Sequence, residues 1–259
     1  MNFIDAVRVC RRRYSFAEMV SLLRARKTTN GSACKILDYR VKYLDQNSFQ
    51  IALWEILFKG VYQFEADSDS PMILDCGANI GLATLFFKWK YPKSRILAFE
   101  ADPNITAVLK DNINSNRLQG VEIHNVLLSN SEGEHVFYAG DSGSLVGSVI
   151  PGRQANHHAI TVRADKLSRF IKGPIDLIKM DVEGSEFEVI QDLISSRTSS
   201  QVHTMIIEYH HKIGGESSRL AQFLKLLEDD GFEYQIAANC DPVTRKGVFQ
   251  DIVIGAYRS

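Results

Sequence analysis

The sequence predicts an α/β fold, a doubly wound and mainly parallel sheet behind an N-terminal helical cap. Three observations predict it. From Met72 onward, short apolar runs alternate with segments of helical periodicity, the pattern of parallel β-α-β units. One strand-to-helix junction carries its small residues in the order D-x-G-x-N-x-G, over residues 75–81. Four apolar runs end in an acidic residue, at Asp75, Glu100, Asp181 and Glu208. In open α/β sheets ligands bind at those carboxyl ends.

Residues 1–65 are expected to form the cap, an extension on the substrate side, and 66–259 the main domain. Phe16, Met19, Val20, Leu22 and Leu23 predict an amphipathic helix. Lys35 to Leu44 alternates in part and predicts a strand or hairpin. Ser48 to Phe58 returns to helical spacing through Ile51 and Trp54, and Asp67 to Pro71 is a polar boundary.

In the main domain, strands are expected at 72–75, 95–99, 121–127, 175–180 and 203–208, and helices at 81–90, 103–116, 184–195 and 217–230. Residues 134–164 read as two strands around a long loop rich in Gly and Ser, a kind of loop that is often functional. Glu233 to Ala237 and Phe249 to Tyr257 predict an antiparallel pair at the sheet edge.

A length of 259 residues fits one large α/β domain with an extension, and 45% apolar residues suffice for a core. The formal net charge of −1 gives no general attraction to nucleic acid or to an anionic membrane. Arg11, Arg12 and Arg13 read as a solvated helix face. Cys10, Cys34, Cys76 and Cys240 are scattered without zinc spacing, as reduced thiols of a cytoplasmic protein would be. No signal peptide and no membrane span are expected. Oligomeric state is not legible.

The chemistry is expected at the strand ends. Ile73 to Phe87 reads I-L-D-C-G-A-N-I-G-L-A-T-L-F-F. Small residues in that turn let a ligand touch backbone, and the unpartnered amides at the helix start offer a polar seat. The order differs from the dinucleotide fingerprint G-x-G-x-x-G. Its third glycine is missing, and Asp75 would repel a pyrophosphate. A carboxylate suits an ammonium or hydroxyl, and S-adenosylmethionine carries both and no phosphate. Glu100 follows the glycines by about twenty residues, where a ribose-binding acid belongs.

Ile175 to Glu186 reads I-D-L-I-K-M-D-V-E-G-S-E. Asp181, Glu183 and Glu208 would share one edge with Asp75 and Glu100, and His210 and His211 follow. Each has an ordinary reading as well: Asp181 as a helix cap, Glu183 and Glu186 as partners of the helix dipole, the histidines as exposed loop residues.

Together these residues resemble the FkbM-type methyltransferases. The matching strings are D-C-G-A-N-I-G over 75–81, Phe99-Glu100, and I-K-M-D-V-E-G-S-E over 178–186. Leu127 to Ser129 with the turn at Glu132 and Gly133 fits too, as does Ile206 to Glu208 with a nearby histidine. Phe58 to Tyr62 fits more loosely. The match covers roughly residues 45 to 210. His210 is followed by His211, where family members often carry proline.

The resemblance implies a Rossmann-like sheet of about seven strands, with one antiparallel strand near the edge. It implies transfer of a methyl group from S-adenosylmethionine to oxygen, commonly a hydroxyl of a sugar, glycan or natural-product-like small molecule. Asp75, Gly77, Ala78, Asn79 and Gly81 would border the methionine part, and Glu100, followed by Ala101, would take the ribose. Leu127 and Ser129 would flank the adenine. Asp181 would lie beside the sulfonium and the acceptor.

A hydroxyl benefits from a general base, and Asp181, Glu183, Glu208 and His210 or His211 are the candidates. A divalent cation such as Mg²⁺ on Asp181 and Glu208 is the alternative; sequence order does not show those oxygens converging. Two rival functions share the fold: a nicotinamide-dependent oxidoreductase and a non-catalytic binding module.

Overall fold

The computed structural model describes residues 13–27, 32–140, 147–149, 158–212, 217–238 and 250–258. Cys10, Arg11, Arg12, Cys240, Phe249 and most of the loop between 140 and 158 lie outside the described residues. The helices are α1 (Phe16–Lys27), α2 (Gln46–Leu53), α3 (Leu82–Lys90), α4 (Pro103–Ser115), α5 (Glu186–Ser195) and α6 (Leu220–Asp229). The first strands are β1 (Ala33–Ile36), β2 (Tyr39–Lys42), β3 (Met72–Cys76), β4 (Arg95–Glu100), β5 (Val121–Asn125) and β6 (Leu127–Leu128). Then come β7 (Gly133–Ala139), β8 (His158–Asp165), β9 (Ile175–Met180), β10 (Val202–His211), β11 (Glu233–Ala238) and β12 (Gln250–Tyr257).

The main sheet has seven strands in the order β11-β12-β10-β9-β3-β4-β5. β10, β9, β3, β4 and β5 run parallel, and β12 is antiparallel to both neighbours. This is the doubly wound sheet with one reversed strand near its edge. Strand order turns back between β3 and β9, so a crevice opens beyond Cys76 and Met180.

The inner strands are apolar along their length because both faces are covered. Successive side chains point to opposite faces. Ile73, Ile96, Leu177 and Ile206 join one core, with α3 and the N-terminal segment. Leu74, Ile178 and Ile207 join the other, with Phe187, Phe223 and Leu227 of α5 and α6. Leu22, Leu53 and Phe58 therefore share a core with the sheet.

Local signals explain the covering elements. Ser15 and Glu18 form a reciprocal capping box at α1, with Ser15 N–H donating to Glu18 at 2.7 Å. Asp45 caps α2 by accepting from Ser48 N–H at 2.7 Å. α2 runs into a π-helical turn, Trp54–Lys59, which ends on Gly60 in the left-handed region at φ 72°. Such turns often mark functional sites, and this one leads to Tyr62.

Three expectations change. The strand expected at 121–127 breaks after Asn125, and Leu127–Leu128 pair with β8 in a separate sheet with β7. β10 continues to His211, so both histidines sit on a strand and not in a loop. The helix expected from 184 starts at Glu186 with Ser185 before it, so Asp181 does not cap it. Among the described residues, no helix is long and apolar enough to cross a membrane.

Candidate active site

Two clefts meet at the switch point. One, with about 550 Å³ of empty space counted to its mouth, is lined by Phe99, Glu100, Ala101, Val126, Leu127 and Phe137, among others. The apolar walls of this slot are joined by Asn79, Asp181, Glu183 and the buried Glu100. The other, about 960 Å³ counted the same way, lies between the sheet and the N-terminal segment, which contributes Ile51, Glu55 and Tyr62. Gly77, Asn79, Asp181 and Glu183 line both. A group passing from one cleft to the other crosses there.

The loop after β3 is shaped by its neighbours. Gly77 has φ 75°, and a Cβ on it would lie 1.8 Å from the Asp181 carbonyl oxygen. Gly81 has φ 91°, and its Cβ would lie 2.6 Å from Leu109 Cδ1. Close packing of β9 and α4 therefore demands these glycines before any ligand does. Asn79 is also left-handed, at φ 51°. Its N–H donates to Glu100 Oε2 at 2.9 Å, while Asp102 N–H donates to Oε1 at the same distance. Glu100 is buried, and burial pushes its carboxyl up to about 7 against those two donors.

Asp75 lines neither cleft, contrary to its expected place beside the cofactor. It is fully buried, accepts from Thr84 Oγ1 at 2.6 Å and faces Lys179 Nζ at 3.4 Å. Gly81 and Ser129 also fall outside the linings, and Ala78 faces the second cleft only. Leu127, Ala101, Glu100, Gly77 and Asn79 line the slot as expected.

Lys179 is the residue the sequence reading passed over. Its Nζ donates to Gly77 O at 2.6 Å and Cys76 O at 3.3 Å, and stands 3.6 Å from Asp181. Burial alone would lower its pKa, but Asp75, Asp181 and Glu208 outweigh that and raise it. A lysine two residues before Asp181 on a strand must share its face, and that was the available signal.

The same alternation gathers the rest. Ile206, Glu208 and His210 share a face of β10, so His211 points to the other side and lines neither cleft. Register sets Asp251 of β12 opposite His210. Tyr62 O–H donates to Glu208 Oε2 at 2.9 Å and lies 3.3 Å from Asp181 Oδ2. Burial, then Asp181, pushes Glu208 up to about 8. Burial and the same two carboxylates raise Tyr62 well above its usual value. His210 Nδ1 is 2.7 Å from Glu186 Oε1, and Nε2 is 2.8 Å from Glu183 Oε2. Nε2 also faces Asp181 at 3.7 Å and Asp251 at 3.8 Å.

Ligand atoms of Asp181, Glu183 and His210 lie within 4.8 Å of one another, as do those of Glu208, His210 and Asp251. The pair expected for a cation, Asp181 and Glu208, is split between these groups and bridged by Tyr62.

Residues 75–234 match the family model described as the methyltransferase FkbM domain. The chain belongs to the FkbM methyltransferase family. Its sequence is similar to Methyltransferase 1 of Beauveria bassiana (strain ARSEF 2860), with 31% identity over 54% of this chain and 65% of that one. Methyltransferase sdnD of Sordaria araneosa is 28% identical over 69% of this chain and 80% of that one. The 2-O-methyltransferase NoeI of Sinorhizobium fredii (strain NBRC 101917 / NGR234) is 30% identical over 48% of this chain and 58% of its own length. This FkbM-domain chain thus spans under two thirds of the Beauveria and Sinorhizobium proteins.

Proposed function

We propose that this chain is an S-adenosylmethionine-dependent methyltransferase that methylates a hydroxyl of a small molecule or glycan. One observation carries the reading: the slot beside Glu100 and the acidic cleft share Asp181 and Glu183 as a common wall. The residues present fit the cofactor. Val126, Leu127 and Phe137 offer an apolar bed for the adenine, and Glu100 offers a carboxylate to the ribose hydroxyls. Oxygen as the acceptor atom is supported by likeness to the 2-O-methyltransferase NoeI and by the proton-accepting groups of the second cleft.

When bound, the cofactor supplies an electrophilic methyl group. The protein aligns the acceptor with it and takes the hydroxyl proton. Asp181 is the proton acceptor in this reading. It lines both clefts and its side chain is 26% exposed. Glu208, at about 8, keeps its own proton near neutrality. His210 has Nδ1 on Glu186 and Nε2 against Glu183 at 2.8 Å. Lys179 holds a positive charge beside Asp181 and pins the glycine loop.

A divalent cation is a second reading, favoured by the grouping of Asp181, Glu183 and His210. The two carboxylates there would suit Mg²⁺.

Calorimetric titration with S-adenosylhomocysteine, with and without Mg²⁺, tests both readings. Micromolar binding is expected. Absence of binding, together with binding of NADH, would overturn the methyltransferase reading. Affinity that rises with Mg²⁺ would bring the cation forward. With an acceptor in hand, Asp181→Asn should cut turnover by about 10²- to 10⁴-fold and leave cofactor affinity in place.

A further inference from the structure

We propose that the methyl acceptor carries an ammonium group, which Glu55 and Asp251 hold at the outer end of the second cleft. The inference rests on the methyltransferase reading of that cleft and deepens it.

The cleft is one-sided in charge. Glu55, Asp181, Glu183 and Asp251 line it together with Glu208, which keeps its proton near neutrality, against Lys179 and His210. Both cations are already engaged. Lys179 donates to Gly77 O at 2.6 Å and faces Asp75. His210 is held by Glu186 and Glu183 at 2.7 and 2.8 Å, with Asp181 at 3.7 Å and Asp251 at 3.8 Å. Neither offers a free positive end to an anionic ligand.

The carboxylates also feel one another. After burial and the pull of Lys59, Asp251 and Asp181 push Glu55 upward. Glu55 in turn adds to the rise at Glu208. Like charges crowded into a cleft repel an anion and favour a cation.

Position within the cleft separates two tasks. Glu55 and Asp251 have side chains 39% and 42% exposed, against 26% and 20% for Asp181 and Glu183. The outer pair is hydrated enough to receive an ammonium group; the inner pair borders the cofactor slot. Glu55 also meets Lys59 at 3.4 Å, but Lys59 does not line the cleft. Ile51, Ala52, Ile56 and Leu82 add an apolar wall to the same cleft. The matching ligand has a cationic end, a nonpolar body or ring face, and a hydroxyl.

Three probes on one scaffold test this: trans-2-aminocyclohexanol, its N-acetyl derivative and trans-2-hydroxycyclohexanecarboxylate. Each is titrated by NMR into the full chain saturated with S-adenosylhomocysteine. The amine is expected to bind at least about tenfold more tightly than the other two, and less tightly as salt rises. The double variant Glu55→Gln with Asp251→Asn should lose that preference and keep its affinity for S-adenosylhomocysteine. If the double variant fails to fold, each single variant should lose part of the preference. Equal or tighter binding of the neutral or acidic probe, no binding of the amine, or a preference that survives the substitutions would overturn the inference. Failure of S-adenosylhomocysteine itself to bind would instead overturn the cofactor reading.

Discussion

Asp75 and Lys179 face each other across the β3–β9 register, and their side chains meet at 3.4 Å with both groups buried. The acid expected at the ligand surface is a counterion one layer behind it. It keeps a buried ammonium in place, and that ammonium ties down the carbonyls of Cys76 and Gly77.

Lys179→Met leaves Asp75 buried without its cationic partner. Removing one member of a buried pair costs about 3–5 kcal/mol. Urea denaturation should show a loss of that size. Adding Asp75→Asn should recover part of it, and two losses that simply add would refute the pairing.

Gly77→Ala should be worse than Gly81→Ala. At Gly77 the new Cβ meets the backbone oxygen of Asp181 at 1.8 Å, and at Gly81 it meets the movable end of Leu109 at 2.6 Å. Both positions carry positive φ, which costs about 1–3 kcal/mol for a residue with a side chain. Thermal melts should rank the variants in that order, and equal melting points would contradict it.

Glu100 should make the ligand-free fold sensitive to pH. Its pKa rises from an ordinary 4.5 to about 7 on folding. Its stabilising contribution is complete below 4.5 and disappears as pH climbs through 7. Glu100→Gln should flatten that decline in urea midpoints across the window. Glu100→Ala should weaken S-adenosylhomocysteine binding by about 1–3 kcal/mol; unchanged affinity would remove Glu100 from the ribose site.

Tyr62→Phe keeps the ring over Lys179, at 5.2 Å from its centroid to Nζ, and deletes the hydroxyl that donates to Glu208. That bond favours the ionised carboxylate, so Glu208 should titrate above its present value of about 8. The carboxylic C=O infrared band should persist to higher pH in the variant. A band that disappears at lower pH would mean the hydroxyl does not act on Glu208.

The sequence by itself determined the α/β class, most of the order of strands and helices, and Glu100 at the end of its strand, because periodicity and turn residues are local properties; that β10 runs past Glu208 to His211 was not local. It also carried the family, through D-C-G-A-N-I-G over 75–81 and K-M-D-V-E-G-S-E over 179–186. Only the tertiary structure decided which acids face a ligand. Burial of Asp75 depends on the register of β3 against β9, and engagement of His210 depends on α5 and the turn at Glu183 reaching β10. The part of Tyr62 was equally hidden: it meets Glu208 across 146 positions of sequence. Contacts across that distance are set by how whole elements pack, and no local pattern records them.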